Sequence, residues 1–211
     1  MSIKDKYFVR SIDSNKTHEW LLKKHYAKRL CSISYSFGLF DIENTLVGIC
    51  TFGSPPSRSL CIGVCGVEYA SKVYELNRLC VNDGLEKNVL SYFVSNSLKS
   101  LPNDLIIVSY ADTSQGHHGY IYQATNWIYT GATKERTDIG TDENKHSRHY
   151  DKNTDKSVNR KFRSSKHRYI YITGNKNLKS KLKYKEQPYP KGENSRYNSS
   201  YKPTLQGELF I

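Results

Sequence analysis

The sequence predicts a single α+β domain, in which helices flank a mixed sheet, followed by a basic extension. Two observations support this fold class. Short apolar segments that alternate with polar residues are typical of strands. By contrast, EKNVLSYFVSNSLKSL has apolar residues at helical spacing, with Leu90, Val94 and Leu98 on one face. This helix falls between two groups of predicted strands, so the chain crosses over near the middle of the domain.

The elements follow in order along the chain. The first predicted strand, KYFVRSI, ends at Ile12, and Asp13 or Ser14 offers an N-cap for a helix that runs toward His25. SYSFGLFDI and TLVGICTFGSP indicate a hairpin with Asn44 near its turn, and VYELNRLCV is the strand before the central helix. After that helix, LIIVSYAD predicts a strand, HHGYIYQATNWIY a short helix and HRYIYITG the last strand. We therefore expect a domain at 1–174 with a basic loop or insertion at 138–166, and an extended basic tail at 175–211.

Positive charge is concentrated toward the C-terminal end. Residues 1–130 carry 13 Lys and Arg against 11 Asp and Glu, whereas residues 131–211 carry 19 against 9. The net charge is +12, and so uneven a distribution favours a polyanionic partner, most often nucleic acid. The alternative is a solvated basic tail. Many of the 17 tyrosines are interleaved with Lys and Arg in this region, a pattern that suits base stacking and phosphate contact together.

Cysteine usage and hydropathy indicate where the protein works. The five cysteines form no CxxC pair and no paired zinc spacing, so we expect buried, reduced thiols. The N-terminal MSIKDKYFVR has no apolar signal segment, and no apolar run approaches membrane length. These features predict a soluble protein that stays inside the cell.

The stretch SYADTSQGHHGYIYQATNWIYTG combines an acid, two histidines and several aromatic residues. Asp112 lies at the end of a predicted strand, where the open edge of a sheet commonly binds ligands. The aromatic side chains that follow are suited to stacking a nucleic-acid base: Tyr120, Tyr122, Trp127 and Tyr129. The stretch therefore predicts one wall of a group-transfer site that acts on DNA.

Several stretches together resemble one protein family. HYAKRL, SFGLF, TFGSPPS, YELNRLCVND, NVLSYFVSNSLKSLP, SYADTSQGHHGYIYQATNWIYTG and HSRHYD occur in this order, and the ordered set is similar to the Mom family of bacteriophages. The resemblance implies a GNAT-like fold (acyl-coenzyme A N-acyltransferase-like). It also implies a phage-encoded enzyme of the host cytoplasm that adds a carbamoylmethyl-type group to N6 of adenine in double-stranded DNA. The adenine would be flipped out of the helix, and its modification would protect the DNA from host restriction.

The turn before the central helix departs from the GNAT pattern. In that fold a glycine-rich turn normally cradles the pyrophosphate of coenzyme A on backbone N–H groups. Here the turn is DGLEKNVLS, in which Gly84 is the only glycine and Glu86 brings a negative charge. This argues against ordinary acetyl-coenzyme A and leaves a coenzyme A thioester or an aminoacyl-type donor open. Asn88 and Ser91, at the helix N-terminus, are expected to hold an anionic or carbonyl group of the donor.

The resemblance also implies the site residues. Four matched residues are expected to line the reaction centre: Arg78, Ser91, Asp112 and Tyr122. A metal site is expected from His25, Tyr26, Asp112 and Tyr122. One imidazole, one carboxylate and two phenolates form a hard ligand set that suits iron better than zinc.

Each assignment has a purely structural alternative. Asp112 would instead cap the following helix while the tyrosines pack in the core. Arg78 would form an ion pair with Glu75 on the strand surface. Ser91 would be a small residue where a helix meets the sheet.

Two basic segments are the candidates for DNA contact. HSRHY supplies Arg148 and His149. NRKFRSSKHR supplies backbone contacts from Arg160, Lys161, Arg163, Lys166 and Arg168, with Phe162 suited to wedge a base step. Two other functions stay open: a GNAT-like acyltransferase that acts on RNA or protein, and a non-catalytic nucleic-acid-binding module.

Overall fold

The computed structural model describes residues 2–139, 160–174 and 176–192. Its strands are β1 (Tyr7–Ser11), β2 (Tyr35–Asp41), β3 (Leu46–Gly53), β4 (Val73–Val81), β5 (Ile106–Asp112), β6 (Ile128–Ala132), β7 (Arg136–Ile139), β8 (Arg160–Arg163) and β9 (Lys166–Ile172). Seven of them form one sheet in the order β1-β2-β3-β4-β5-β9-β6, and β7 pairs with β8 in a separate ribbon. Among these described strands, only β4 and β5 are parallel neighbours in the large sheet. The expected α+β class with a mixed sheet is therefore confirmed.

The helices are short apart from the central one. They are α1 (Ile3–Lys6), α2 (Arg58–Cys65), α3 (Val89–Lys99) and α4 (Tyr120–Ala124), with a π turn at Trp20–Lys24 and 3-10 helices at Ser14–Thr17, Ala70–Lys72, Thr113–Gln115 and Lys176–Lys181. The central helix agrees with its predicted periodicity, since Phe93, Val94 and Leu98 are buried. Burying each such side chain stabilises the fold by about 1.5–3 kcal/mol.

Two predicted helices differ from the structure. The segment after β1 begins as a 3-10 helix and ends in the π turn instead of forming one regular α-helix. The helix predicted from His117 onward is only the five residues of α4. Gly119 precedes α4 with φ +78°, and a Cβ atom there would overlap the ring of Tyr169. The left-handed conformation and the close packing together require glycine and delay the helix start.

The sheet carries a different core on each face. On one face α3 and α4 pack against the strands and bury the largest apolar cluster, which includes Phe52, Phe93 and Trp127. The other face holds two smaller clusters. One lies under α2 around Ile106, and the other lies under the π turn around Trp20.

Strands β4 and β5 separate part of the way along their length. They pair only from Val73 with Ile106 to Glu75 with Val108, although β4 continues to Val81 and β5 to Asp112. At the point of separation, Ser109 Oγ donates to the carbonyl oxygen of Leu76 at 2.9 Å. We call the gap between residues 76–81 of β4 and 109–112 of β5 the β4–β5 cleft.

A bulge in β4 determines which side chains reach the cleft. Thr51 pairs with Arg78 and Phe52 pairs with Leu76, so Asn77 is the extra residue. Thr51 Oγ1 and the carbonyl oxygen of Ser32 fix the Asn77 amide at 2.6 and 2.7 Å. Because Leu76 and Leu79 both pack on the α3 face, Glu75 and Arg78 lie together on the opposite face.

The described part of the expected C-terminal tail, which we call the C-terminal segment (residues 176–192), packs onto the domain, and the boundary expected between 174 and 175 stays a prediction. Leu178 is buried, and Leu182 and Tyr184 pack against the cluster under α2. Further along, the Gln187 N–H donates to the carbonyl oxygen of Tyr129 at 2.9 Å. The segment therefore crosses the edge of β6, the last strand of the sheet.

Candidate active site

The β4–β5 cleft is the candidate active site, because several polar side chains far apart in sequence meet there. The π turn packs against β4. His25 and Tyr26 follow the turn directly and lie on the side of β4 that carries Arg78. π turns are uncommon and occur frequently at functional sites. The His25 N–H donates to the carbonyl oxygen of Trp20 at 2.8 Å, the five-residue spacing of the π turn.

His25 is a neutral, buried imidazole. Its side chain is 6% exposed, and its Nδ1 accepts a hydrogen bond from the Ala27 N–H at 3.1 Å. Burial lowers its pKa to about 3, and the charges of Arg78 and Arg29 act in the same direction. Because Nδ1 is the acceptor, the ring proton lies on Nε2, which makes that atom a donor. Tyr26 stacks on the ring, with centroids 4.4 Å apart and an interplanar angle of 29°.

Arg78 belongs to a group of three arginines. Its Nη1 donates to the carbonyl oxygen of Asn77 at 2.6 Å, while its Nε is buried and has no hydrogen-bond partner among the described residues. Partial burial lowers the pKa of Arg29, and the charges of Arg78 and Arg163 lower it further. The charges of β4 and β8 are therefore felt in the loop after the π turn.

Tyr122 is a core residue. Its hydroxyl is hydrogen-bonded to Ser109 Oγ at 2.8 Å, and its ring packs 5.0 Å from both Trp127 and Tyr169. Burial raises the pKa of Tyr122 well above its usual value despite the bond to Ser109, and the charges of Tyr26 and Glu75 add to the shift. The side chain is a protonated phenol that faces the cleft from the α3 side.

The expected base-stacking surface of the aromatic stretch after Asp112 is wrong. Tyr122, Trp127 and Tyr129 are only 8%, 0% and 7% exposed and form part of the main core. Tyr120 is the one member of that set with a largely exposed side chain, at 64%. The aromatic spacing reflects packing around Tyr169, so it does not mark a ligand surface.

Asp112 acts as a cap and an ion-pair partner. Its carboxylate accepts hydrogen bonds from the Ser114 N–H and from the hydroxyls of Ser114 and Ser164 at 2.7–3.0 Å. Lys166 Nζ lies 2.7 Å from its other oxygen. Burial alone would raise the pKa of Asp112, but the hydrogen bonds from Lys166, Ser164 and Ser114 outweigh it and hold the pKa at about 2. A carboxylate with so low a pKa is a weak general base near neutral pH.

The expected metal site does not fit the structure. Ala111 faces the main core and Asp112 follows it on the other face of β5, whereas Tyr122 meets β5 through Ser109 on the core face. Both carboxylate oxygens of Asp112 are already engaged, and the high pKa of Tyr122 disfavours a phenolate ligand. Among the described residues, no three His, Cys, Asp or Glu side chains come together in a way that could hold a metal ion. The iron site expected from His25, Tyr26, Asp112 and Tyr122 therefore stays a prediction, which the described geometry does not support.

The N-terminus of α3 keeps the features expected of a donor site. Asn88 has φ +70° and its side chain makes no capping hydrogen bond. Ser91 Oγ donates to the carbonyl oxygen of Asn88 at 2.9 Å. Glu86 is paired with Lys6 at 2.8 Å, so its negative charge is offset locally. Donor binding by Asn88 and Ser91 stays a prediction.

The basic residues expected to contact DNA have different positions. Arg168 is half-buried, and its guanidinium lies 3.3 Å from the ring centroid of Tyr184 and donates to Thr130. Lys166 is held by Asp112. Phosphate contact by either residue stays a prediction that these interactions do not support. Arg160 and Lys161 lie in β8, where only their backbone is described, and Arg148 and His149 lie outside the described residues.

Sequence reasoning missed two residues beside the cleft. Glu75 is the last β4 residue that pairs with β5, and its charge is felt by Tyr122 and Tyr110. Arg29 lies three residues beyond Tyr26 and close to Arg78. A charged residue within the apolar run VYEL was the available signal for Glu75, since a charge is rarely placed between two core strands without a role.

No described helix has both the length and the apolar character to cross a membrane. Among solved structures, the chain is similar to spermidine/spermine N-acetyltransferase SpeG from Vibrio cholerae, with a TM-score of 0.46, 9% identity, and coverage of 81% of this chain and 95% of that one. It is also similar to an N-acetyltransferase from Staphylococcus aureus Mu50, with a TM-score of 0.46 and 12% identity. That match covers 79% of this chain and 98% of the other. This likeness is one of general architecture, and we carry no chemical role over from it.

Similarity in sequence is more specific. Methylcarbamoylase mom of Escherichia phage Mu is 29% identical over 194 residues, which cover 80% of this chain and 77% of that protein. The profile of the Mom protein family matches residues 6–191. That range contains every strand of the sheet, both sides of the β4–β5 cleft and nearly all of the C-terminal segment. The chain therefore belongs to the Mom protein family.

Proposed function

We propose that this protein is a phage transferase that adds a carbamoylmethyl-type group to N6 of adenine in DNA and so protects the DNA from restriction. The observation that carries the proposal is the family match over residues 6–191, which includes all the residues of the cleft. The relative from phage Mu is named methylcarbamoylase, and this name supports our choice of the group that is transferred. The net charge of +12 suits a DNA substrate.

The chemistry requires a base and a site for negative charge. The N6 lone pair of adenine is delocalised into the ring, so N6 is a weak nucleophile. As the N6–C bond forms and the bond from carbon to the leaving group breaks, N6 must also lose a proton. We assign that proton to Glu75, the carboxylate at the point where β4 and β5 separate. General-base catalysis of this kind is worth about 10²–10⁴-fold.

Arg78 and His25 would support the donor. The Arg78 guanidinium and the His25 Nε2–H are both suited to hold an oxygen of the donor or leaving group as charge develops on it. A coenzyme A thioester or an aminoacyl-type donor would extend toward Asn88 and Ser91 at the N-terminus of α3. Tyr122 and Asp112 act as positioning residues, Tyr122 through Ser109 and Asp112 through Ser164 and Lys166.

Mass spectrometry of nucleosides from bacteria that express the protein tests the proposal. The wild-type chain should give a mass gain on deoxyadenosine. Glu75→Gln and Arg78→Gln should each lower the modified fraction by at least about 100-fold, since each removes a charge needed in the transition state.

Arg10→Gln is the matched control for charge. Arg10 lies on β1, where its guanidinium packs over Phe40, three strands from β4 and so roughly 14 Å away. The Arg10→Gln variant should modify deoxyadenosine normally. A mass gain on RNA nucleosides alone, or no gain on any nucleoside, would contradict the proposal.

A further inference from the structure

Lys24 is a buried lysine that joins two segments of the candidate active site. We propose that Lys24 and Asp83 are a positioning pair for the transfer reaction. Their ion pair holds the π turn, and with it His25, in a fixed position against the turn that precedes α3. The identity of the reaction rests on the proposed function, whereas the position of His25 is a property of the fold and is tested separately.

The burial of Lys24 needs an explanation other than packing. Only 3% of the residue is exposed, although a lysine is almost never fully buried unless it is paired. Lys24 ends the π turn, whose Trp20 and Leu21 belong to the apolar cluster beneath it. An apolar side chain of similar length would fill the same space without the desolvation of a charge. The ammonium group is therefore not required by the core.

Asp83 holds the ammonium group. Lys24 Nζ lies 3.0 Å from Asp83 Oδ2, and half of the Asp83 side chain is exposed. The preceding residue anchors this carboxylate to the sheet, because the Asn82 N–H donates to the carbonyl oxygen of Val47 in β3 at 2.8 Å. The pair thus connects the end of the π turn to a fixed point at the start of the turn before α3.

His25 takes its position from Lys24. It is the next residue, and its N–H closes the π turn by donating to the carbonyl oxygen of Trp20 at 2.8 Å. Its ring is buried, and the Ala27 N–H donates to its Nδ1. The ring therefore has little freedom to compensate for a shift of the turn. A shift of about 1 Å in a positioned group can lower a rate about 100-fold.

A second ion pair at the same turn provides a contrast. Lys6 Nζ lies 2.8 Å from Glu86 Oε1, and both side chains are well exposed. An exposed pair of this kind contributes little to holding two segments together. Lys6 belongs to α1, so this pair does not join the turn to His25. It is the matched control for the loss of an ion pair at the turn.

The first test follows the His25 ring by NMR, with no DNA or donor present. Protein labelled with ¹⁵N at its seven histidines gives the ring signals, and His25→Gln identifies those of His25. Asp83→Ala should shift or broaden them, because the π turn loses its attachment to a residue far away in the sequence. Lys6→Met should leave them unchanged. Unchanged His25 signals in Asp83→Ala would overturn the proposal.

The second test measures modified deoxyadenosine in expressing bacteria. Lys24→Met and Asp83→Ala should each lower the modified fraction at least about tenfold. The variant with both changes should be no less active than either single variant, because the two residues act as one unit. Additive losses in the double variant would contradict a shared role and overturn the pair.

Thermal unfolding separates positioning from stability. Lys24→Met should be at least as stable as the wild type, because an apolar residue can replace a buried charge without loss and Asp83 remains in solvent. If Asp83→Ala is unstable, the double variant removes the buried charge and keeps the test decisive. An activity that stays normal in Lys24→Met, or that falls only as its stability falls, would overturn the positioning role.

The two readouts distinguish this proposal from the proposed function. Displaced His25 signals in Asp83→Ala, together with a wild-type protein that modifies no deoxyadenosine, would overturn the transferase. Unchanged His25 signals in Asp83→Ala, together with normal modification by the wild type, would overturn the positioning pair alone.

Discussion

Asp112 is the single residue whose interactions make the clearest prediction. Its pKa of about 2 is below the usual value of about 3.9, so its interactions stabilise the protein above about pH 4 and disappear as the pH falls toward 2. Asp112→Asn should lower the free energy of unfolding by about 1–2 kcal/mol at pH 7, and by much less near pH 2. Urea unfolding at several pH values measures this difference.

Glu43→Gln is the control at the same scale. Glu43 is an exposed residue of the β2–β3 turn, so removing its charge should have little effect on stability at either pH. An equal loss of stability at pH 2 and pH 7 in Asp112→Asn would argue against the ion pair with Lys166. If the Asp112→Asn protein is normally stable but no longer modifies adenine, then Asp112 has a catalytic role.

At the scale of elements, the C-terminal segment is the part whose removal should matter most. It buries Leu178, stacks Tyr184 on Arg168, and joins Tyr189 to the carbonyl oxygen of Trp127 at 2.6 Å. A chain that ends at Gly174 should lose at least about 3 kcal/mol of unfolding free energy. It should also associate through the uncovered edge of β6. Thermal unfolding and size-exclusion chromatography measure the two effects.

A chain that ends at Gly192 is the matched control, because it keeps the whole described segment. It should be more stable than the chain that ends at Gly174. If the chain ending at Gly174 is as stable and as monodisperse as this control, then the packing of the segment contributes nothing and the edge of β6 needs no cover.

At the scale of the whole molecule, the net charge of +12 should make DNA binding strongly salt-dependent, but not through every cation. Arg160→Gln combined with Lys161→Gln should lower the slope of log affinity against log salt by about one for each phosphate that the variant no longer neutralises. Arg168→Gln should leave the slope unchanged. It should instead lower the unfolding free energy by about 1–2 kcal/mol, because its interactions with Tyr184 and Thr130 disappear.

The double variant and Arg168→Gln control for each other, because both remove positive charge from strands that are consecutive in the chain, β8 and β9. Oligonucleotide binding between low and physiological salt provides the slopes. A lower slope in Arg168→Gln and an unchanged slope in the double variant would contradict the assignment of Arg168 to contacts within the protein.

Local patterns predicted the elements that depend on local chemistry. Strand β1 follows from its alternation, β2 to β5 from apolar β-type runs, and α3 from its helical spacing, because each pattern lies within one element. The family resemblance likewise lies in the order of short motifs along the chain. The π turn, the five-residue α4 and the packed C-terminal segment were missed. Each is stabilised by packing against distant residues, such as that of Trp20 on Ile49 and of Tyr184 on Arg168.

The order of amino acids was enough to predict the α+β class, the family and the uneven positive charge. Which side chains meet became clear only from the folded chain. Asp112 follows a core residue and so points to Lys166, away from Tyr122, while a one-residue bulge puts Arg78 on the same face as Glu75. Strand order and the face of each side chain depend on pairings between residues far apart in the chain, and no local pattern encodes them.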